Sequence, residues 1–228
     1  MNNHPSPSSR RIAVTGGTSG LGLALVRALH ARGDRVAFVA RDARRVQRIA
    51  AELAGTHGIV GDIANKDDTH RIAMQIGAAL GGLDVLVNNA SSLGPVPLAL
   101  LADTDCEDLE AALATNLVGP FRLTKAVLGA LAAAARDGRR PQVVNITSDA
   151  AVSAYPQWGA YGASKAALAH LGRIWDEELR EHGVRVSNFD PGDMDTPLHA
   201  LALPDADPAT LKRPSDSARE LVALIDAA

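Results

Sequence analysis

Ile12-Ala13-Val14-Thr15-Gly16-Gly17-Thr18-Ser19-Gly20-Leu21-Gly22 passes from a short apolar run, through a glycine-rich turn, into a helical pattern over 21–32. Glycines at such a junction permit a tight turn and let the backbone approach a ligand with no Cβ in the way. The first N–H groups of the helix and its positive dipole end then face that ligand and favour an anion such as a pyrophosphate. The spacing is Gly-x3-Gly-x-Gly. It differs from the Gly-x-Gly-x2-Gly dinucleotide fingerprint, and no Gly-Lys-Ser/Thr follows, which sets aside a triphosphate-binding loop. Taken alone, the turn serves either a nucleotide or only the backbone.

Outward from this turn, short β-forming runs alternate with longer helical patterns. Strands are expected at 12–14, 36–39, 59–60, 85–87, 143–146 and 184–189. Helices are expected at 21–32, 43–54, 67–80, 106–135, 161–182 and 215–227. Continuously apolar strands alternating with helices indicate an α/β fold with a parallel sheet covered on both faces. The near-universal right-handed crossover leaves a doubly wound, Rossmann-type sheet, with six strands and no strand after the last helix. No internal repeat or linker divides the chain, so 12–228 is read as one domain. Residues 1–11, rich in serine, proline and asparagine, are read as a disordered lead-in.

Composition narrows the function classes. Of 228 residues, 23 are lysine or arginine and 26 aspartate or glutamate, a formal charge of −3 with no long basic block. That balance argues against a nucleic-acid partner. The single cysteine, Cys106, excludes an internal disulfide and a thiolate cluster, and the scattered histidines show no ligand spacing, so no metal is expected. No apolar run approaches membrane length. Arg10-Arg11 precedes too short an apolar stretch for an export signal, so a cytoplasmic location and no membrane partner are expected.

At the end of the second expected strand, Val39-Ala40-Arg41-Asp42 lacks the acidic residue that would hold a ribose 2′-hydroxyl and select NAD. Arg41 instead offers a fork of donors suited to a 2′-phosphate. A solvated basic helix start is the alternative, with Asp42 as its N-cap. Farther along, Tyr161 and Lys165 are four apart on one helical face, and Ser148 ends a strand thirteen residues upstream of the tyrosine. An ammonium beside a phenol favours phenolate, which is expected to lower the tyrosine pKa toward an acid–base range. A tyrosine and lysine merely on the surface is the other reading.

With these residues in order, the sequence resembles the short-chain dehydrogenase/reductase family, in its compact single-domain form, over about 12–197. Thr15-Gly16-x3-Gly20-x-Gly22 resembles the family's cofactor turn, with Thr18, Ser19 and Leu21 inside it. Asp62-Ile63 resembles the adenine-contacting pair, and Asn88-Asn89-Ala90 the start of its Asn-Asn-Ala-Gly motif. Asn116 sits where the family's catalytic asparagine lies, and Ser148, Tyr161 and Lys165 match its serine, tyrosine and lysine. Pro191-Gly192, Met194 and Thr196 resemble the segment that holds the nicotinamide.

The resemblance implies hydride transfer between NADP(H), favoured over NAD(H), and a small-molecule carbonyl or alcohol. Ser148 would hold the substrate oxygen, Tyr161 act as general acid or base, and Lys165 support the tyrosine and the nicotinamide ribose. Asn116 would serve a proton relay. Pro120, four residues on, lacks the N–H that would bond the Asn116 carbonyl, so the helix is expected to be disturbed there. Alternatives are a sensor or scaffold without turnover, and an isomerase or dehydratase on the same fold.

Departures from the family pattern are Ser91 in place of glycine, the acidic Asp190, Asp193 and Asp195, and a missing seventh strand. The last leads to the expectation of a homodimer across the helices at 106–135 and 161–182. Residues 198–214 are read as a lid, with Leu198, Leu201 and Leu203 facing either substrate or core. Trp158 and Tyr155 are candidate aromatic walls, with core packing the alternative for Trp158.

Overall fold

Uninterrupted apolar strands can be satisfied only between two layers of helices, and that is the arrangement found. A computed structural model describes residues 9–227. Six strands, β1 (Arg11–Thr15), β2 (Arg35–Ala40), β3 (His57–Val60), β4 (Val85–Asn88), β5 (Gln142–Ile146) and β6 (Arg185–Phe189), pair in parallel in the order β3-β2-β1-β4-β5-β6. Ile12 stands between Val36 on β2 and Val85 on β4 in register. The strand order reverses between β1 and β4, the point where such sheets open a crevice at their carboxyl edge.

Alternate residues of each strand enter opposite cores. Ile12, Val14, Val36, Phe38 and Val87 pack under α1 (Gly20–Arg32), α2 (Ala43–Glu52) and, nearest the carboxyl end of the chain, α8 (Pro214–Ala227). Ala13, Ala37, Val39 and Leu86 pack on the other side. There they meet α3 (Thr69–Leu80), α5 (Gly119–Arg136) and the end of α6 (Gly159–Leu179). Two further helices, α4 (Cys106–Leu113) and α7 (Pro197–Ala202), lie above the carboxyl edge. Leu221 and Ile225 of α8 are wholly buried, each contributing about 2 kcal/mol. The Ile225 carbonyl accepts from Arg10 and from Gln142, both at 2.7 Å, which closes α8 against the first and fifth strands.

The expected elements are present with shifted ends. The lead-in read over 1–11 lies outside the described residues for 1–8, but its last two residues belong to the fold. Buried Asp84 accepts from the Arg11 backbone (2.8 Å) and guanidinium (2.7 Å) and from Arg139 (2.7 Å), and so draws β1 out to Arg11. The Arg10 N–H is held by Asp34 at 3.0 Å.

The helix expected over 106–135 is continuous but not uniform. Between α4 and α5, Ala114–Val118 forms a π-helical turn. The disturbance foreseen from Pro120 therefore takes the form of one extra residue in a turn. Cys106–Arg136 as a whole is long and apolar enough to cross a membrane by length and composition, although its apolar residues do not form one continuous run. Its Leu123, Val127 and Leu131 are part of the sheet core.

Candidate active site

The glycine turn is shaped by contacts that leave no room for side chains. Gly16 and Gly20 have φ of +69° and +49°. A Cβ on Gly22 would lie 2.2 Å from the Gly16 carbonyl oxygen and 2.5 Å from Asn89 Nδ2. Gly22 is thus packed beneath the turn and is not on the cleft wall, whereas Gly16, Thr18, Ser19, Gly20 and Leu21 are. Thr15 and Asn89 fix the turn to β4. Thr15 Oγ1 accepts from the Asn89 and Ala90 N–H groups (3.0 and 3.1 Å), and Asn89 Nδ2 donates to the Thr15 carbonyl (2.8 Å). Ser19 makes no side-chain cap for α1, so the first N–H groups of that helix are left to face the cleft. A pyrophosphate fits this cradle chemically.

Arg41 lies at one end of the same cleft, well exposed, its guanidinium 3.9 Å from Asp62. Asp42 caps α2, accepting from the Arg45 N–H at 3.0 Å, which settles its part in the expected alternatives. Arg45 also lines this end, a second guanidinium not singled out beforehand. Asp62 accepts from the Ala64 N–H, and Ile63 is buried on the wall.

At the other end stand Ser148, Tyr161 and Lys165 with Pro191, Gly192, Met194 and Thr196, around a cleft of about 710 Å³. Ser217 Oγ on α8 holds the Pro191 carbonyl at 2.9 Å, and Gly192, φ +73°, closes an Asp190 turn. Thr196 Oγ1 is engaged in capping α7, accepting from His199 N at 3.2 Å. Leu198 and Ala202 pack with Leu93, Ala150 and Tyr161, while Leu201 and Leu203 are exposed at the rim. Trp158 lines the cleft and meets the Tyr161 ring edge-on at 5.6 Å.

Asn116 does not reach the cleft. Its Oδ1 accepts from Ser92 N (2.8 Å) and Ser91 Oγ (3.3 Å), and its Nδ2 donates to the Ser92 carbonyl (2.7 Å) and Ser164 Oγ (2.8 Å). Ser164 in turn donates to the Tyr161 carbonyl. Asn116 therefore ties the loop after β4 to the tyrosine's helix. Ser91, where glycine was the family expectation, is accommodated as one of these partners.

The tyrosine pKa departs from expectation. Burial pushes Tyr161 up to about 12, with the Asp190 and Asp149 carboxylates adding and the Ser148 and Ser91 hydroxyls opposing. Lys165, wholly buried, is pushed down to about 8 by the same desolvation, against the pull of Asp190. Its ammonium lies 5.5 Å from the Tyr161 ring centroid and donates to the Ile146 carbonyl at 2.8 Å. The lowering of the phenol expected from the lysine is not found, and burial governs both groups.

One consequence is measurable. The unfolded lysine keeps its proton up to its ordinary 10.5, whereas the folded one loses it near 8. Stability should therefore rise from pH 8 toward 10 by up to about 3 kcal/mol. Denaturant melts of the wild type should show the rise and those of Lys165→Met should lack it. Equal pH dependence in the two would contradict the burial account.

The family model for short chain dehydrogenase matches residues 10–206. The chain belongs to the short-chain dehydrogenases. It is an oxidoreductase of that family. Among curated short-chain dehydrogenases, L-fucose dehydrogenase of Mus musculus is 32% identical over 202 residues, 88% of this chain and 71% of that protein. A Burkholderia cenocepacia J2315 short-chain dehydrogenase solved with NADP is 26% identical with a TM-score of 0.83, covering 95% of this chain and 90% of that one. A 3-ketoacyl-(acyl-carrier-protein) reductase of Brucella melitensis, solved with NADH, shares the fold at a TM-score of 0.88 and 24% identity, over 95% and 91% of the two chains.

Proposed function

We propose that this short-chain dehydrogenase transfers hydride between NADP(H) and a small-molecule carbonyl or alcohol, with Tyr161 as general acid or base. The observation that carries the reading is one continuous cleft. It is lined by Arg41 and the glycine turn at one end and by Ser148, Tyr161 and Lys165 at the other. The uncapped N-terminus of α1 suits the pyrophosphate, and Arg41 with Arg45 suits a 2′-phosphate. The nicotinamide supplies or accepts the hydride.

The chain's own residues handle the substrate oxygen and its proton. Tyr161, with its pKa at about 12, is protonated at neutral pH and so stands ready as an acid toward a carbonyl oxygen. Lys165, cationic below about 8, stabilises the charge that develops on the phenol. The Asn116 main-chain carbonyl, deprived of a donor by Pro120, serves the relay that returns protons to Lys165. The molecule acts as a homodimer across α4–α5 and α6, where Phe121 and Ile174 are exposed.

The phosphate reading is tested with Arg41→Ala. NADPH affinity should fall about tenfold with NADH affinity little changed, since a charge-assisted bond contributes about 1.5–3 kcal/mol where desolvated and less on an exposed arginine. Equal losses for both would remove the basis for NADP(H) preference. Turnover is tested by NADPH oxidation across a panel of ketones and aldehydes.

A further inference from the structure

Two hydroxyls bond to the oxygen of Tyr161, and one of them lies outside the family pattern. Ser148 matches the family's serine, whereas Ser91 stands where that pattern has glycine and so no hydroxyl at all. Both share the cleft wall with Tyr161. Ser91 follows directly on Ala90, whose N–H is held by Thr15 Oγ1 at 3.1 Å, so its backbone is fixed by the latch beneath the glycine turn.

The two hydroxyls differ in what else they touch. Ser148 Oγ also meets the Asp149 carboxylate, at 2.9 Å from Oδ1, in a chain that Tyr155 OH completes by donating to Oδ2 at 2.7 Å. Ser91 Oγ meets a neutral amide oxygen, Asn116 Oδ1, at a longer 3.3 Å. That oxygen also accepts from the Ser92 N–H at 2.8 Å, so it stays satisfied when Ser91 turns away. Asn116 is itself anchored, its Nδ2 donating to the Ser92 carbonyl and to Ser164 Oγ, and Ser164 donating to the Tyr161 carbonyl. A serine O–H carries one proton and rotates to suit its partners. Of the two hydroxyls, Ser91 loses less by giving its proton to Tyr161.

Resting on the acid–base role proposed above for Tyr161, we propose that Ser91 is a positioning residue for the charged state of that tyrosine. When Tyr161 gives its proton to a substrate oxygen, the phenol O–H bond breaks and a new O–H forms on the substrate. The electron pair stays on the tyrosine oxygen. The Ser91 O–H then swings from Asn116 Oδ1 to that oxygen and holds the phenolate until a proton returns.

The surroundings make such a donor consequential. Burial and the Asp190 and Asp149 carboxylates all oppose ionisation of Tyr161, and the Ser91 hydroxyl acts against them. The Lys165 ammonium is engaged with the Ile146 carbonyl at 2.8 Å. A donor fixed in advance beside a developing anion stabilises it without rearrangement at the moment of reaction.

The chain has two tyrosines, so Tyr155→Phe leaves Tyr161 alone to carry a label. Difluorotyrosine incorporated in this background ionises at lower pH than tyrosine, where the fold stands. Its fluorine resonance follows ionisation with no substrate or turnover needed. Ser91→Ala and Ser91→Gly should each lower the ionisation constant of the label about tenfold, the effect of one charge-assisted hydrogen bond. Ser91→Thr keeps a hydroxyl on the Cβ and should restore the constant to within about twofold. Where the alanine variant fails to fold, the glycine variant carries the test, being the residue of the family pattern.

An ionisation constant unchanged in both variants would overturn the proposal, as would Ser91→Thr behaving like the alanine variant. A lower melting temperature with unchanged ionisation would confine Ser91 to holding its loop and overturn it too. The tenfold effect without NADPH oxidation by any ketone, or with turnover untouched in Tyr161→Phe, would uphold the Ser91 bond to the phenolate and sink the acid–base reading. Turnover that depends on Tyr161, with no effect of Ser91 on the label, would do the reverse.

Discussion

Tyr161→Phe should lower turnover by about 10²–10⁴-fold, the usual contribution of a positioned acid or base, while NADPH affinity is unchanged. The ring is nearly buried, packed with Leu93, Ala150 and Ala202 and against the Trp158 edge, and phenylalanine preserves all of that packing. The hydroxyl lost lies on the cleft wall, beside the Ser148 and Ser91 hydroxyls that bond to it. Ser148 and Ser91 keep Asp149 and Asn116 as partners when it is removed, so stability should change little. Steady-state rates with a ketone that the wild type reduces, together with a cofactor titration, separate the two effects. A variant turning over like the wild type would take the acid–base role away from Tyr161.

The second large effect is expected at Gly22. Alanine there places a methyl group 2.2 Å from the Gly16 carbonyl oxygen and 2.5 Å from Asn89 Nδ2, and the nearer atom is backbone. Either the glycine turn or the N-terminus of α1 must move. The cost should be about 1–3 kcal/mol in stability, and 10- to 100-fold in cofactor affinity, because the displaced atoms form the cradle itself. Gly129→Ala is the matching control. That glycine is helical and exposed with nothing near its missing Cβ, so alanine should stabilise the protein by about 0.5–1 kcal/mol. Thermal melts and NADPH titration of both variants give the comparison. Retention of wild-type affinity by Gly22→Ala would show that the turn tolerates the shift and is not a tight cradle.

The fold was legible because its signals are local. Apolar runs at 12–14 and 85–87 sit at the centre of the sheet, and Ser148, Tyr161 and Lys165 lie on adjacent elements of one edge, so order along the chain translated directly into proximity. What escaped the sequence depends on distant contacts. The Thr15–Asn89 latch joins residues 74 apart; both segments resemble family motifs, but their order along the chain does not give the contact between them. The extension of β1 to Arg11 depends on Asp84, equally remote.

Burial misled the reading of Tyr161, since spacing puts Lys165 on the same helical face but says nothing about desolvation, which governs both pKa values. Asn116 is legible only through its resemblance to the family's asparagine in the long helix, yet its side chain serves the loop at Ser91 and Ser92 rather than the cleft. The partner Ser164 was within reach of the sequence, three residues after Tyr161 on the same helix. The Ser148–Asp149–Tyr155 chain needed the turn after β5 to be placed before the carboxylate's partners could be seen.

The most direct test of the central claim is a fluorescence titration of the wild-type protein with NADPH and, separately, with NADH. The account expects saturable NADPH binding, with NADH requiring about tenfold higher concentration, because both cofactors use the glycine turn but only one offers Arg41 a phosphate. Saturation by neither would contradict it, since the cleft would then not be a dinucleotide site and the roles given to Tyr161 and Lys165 would have no hydride to accompany.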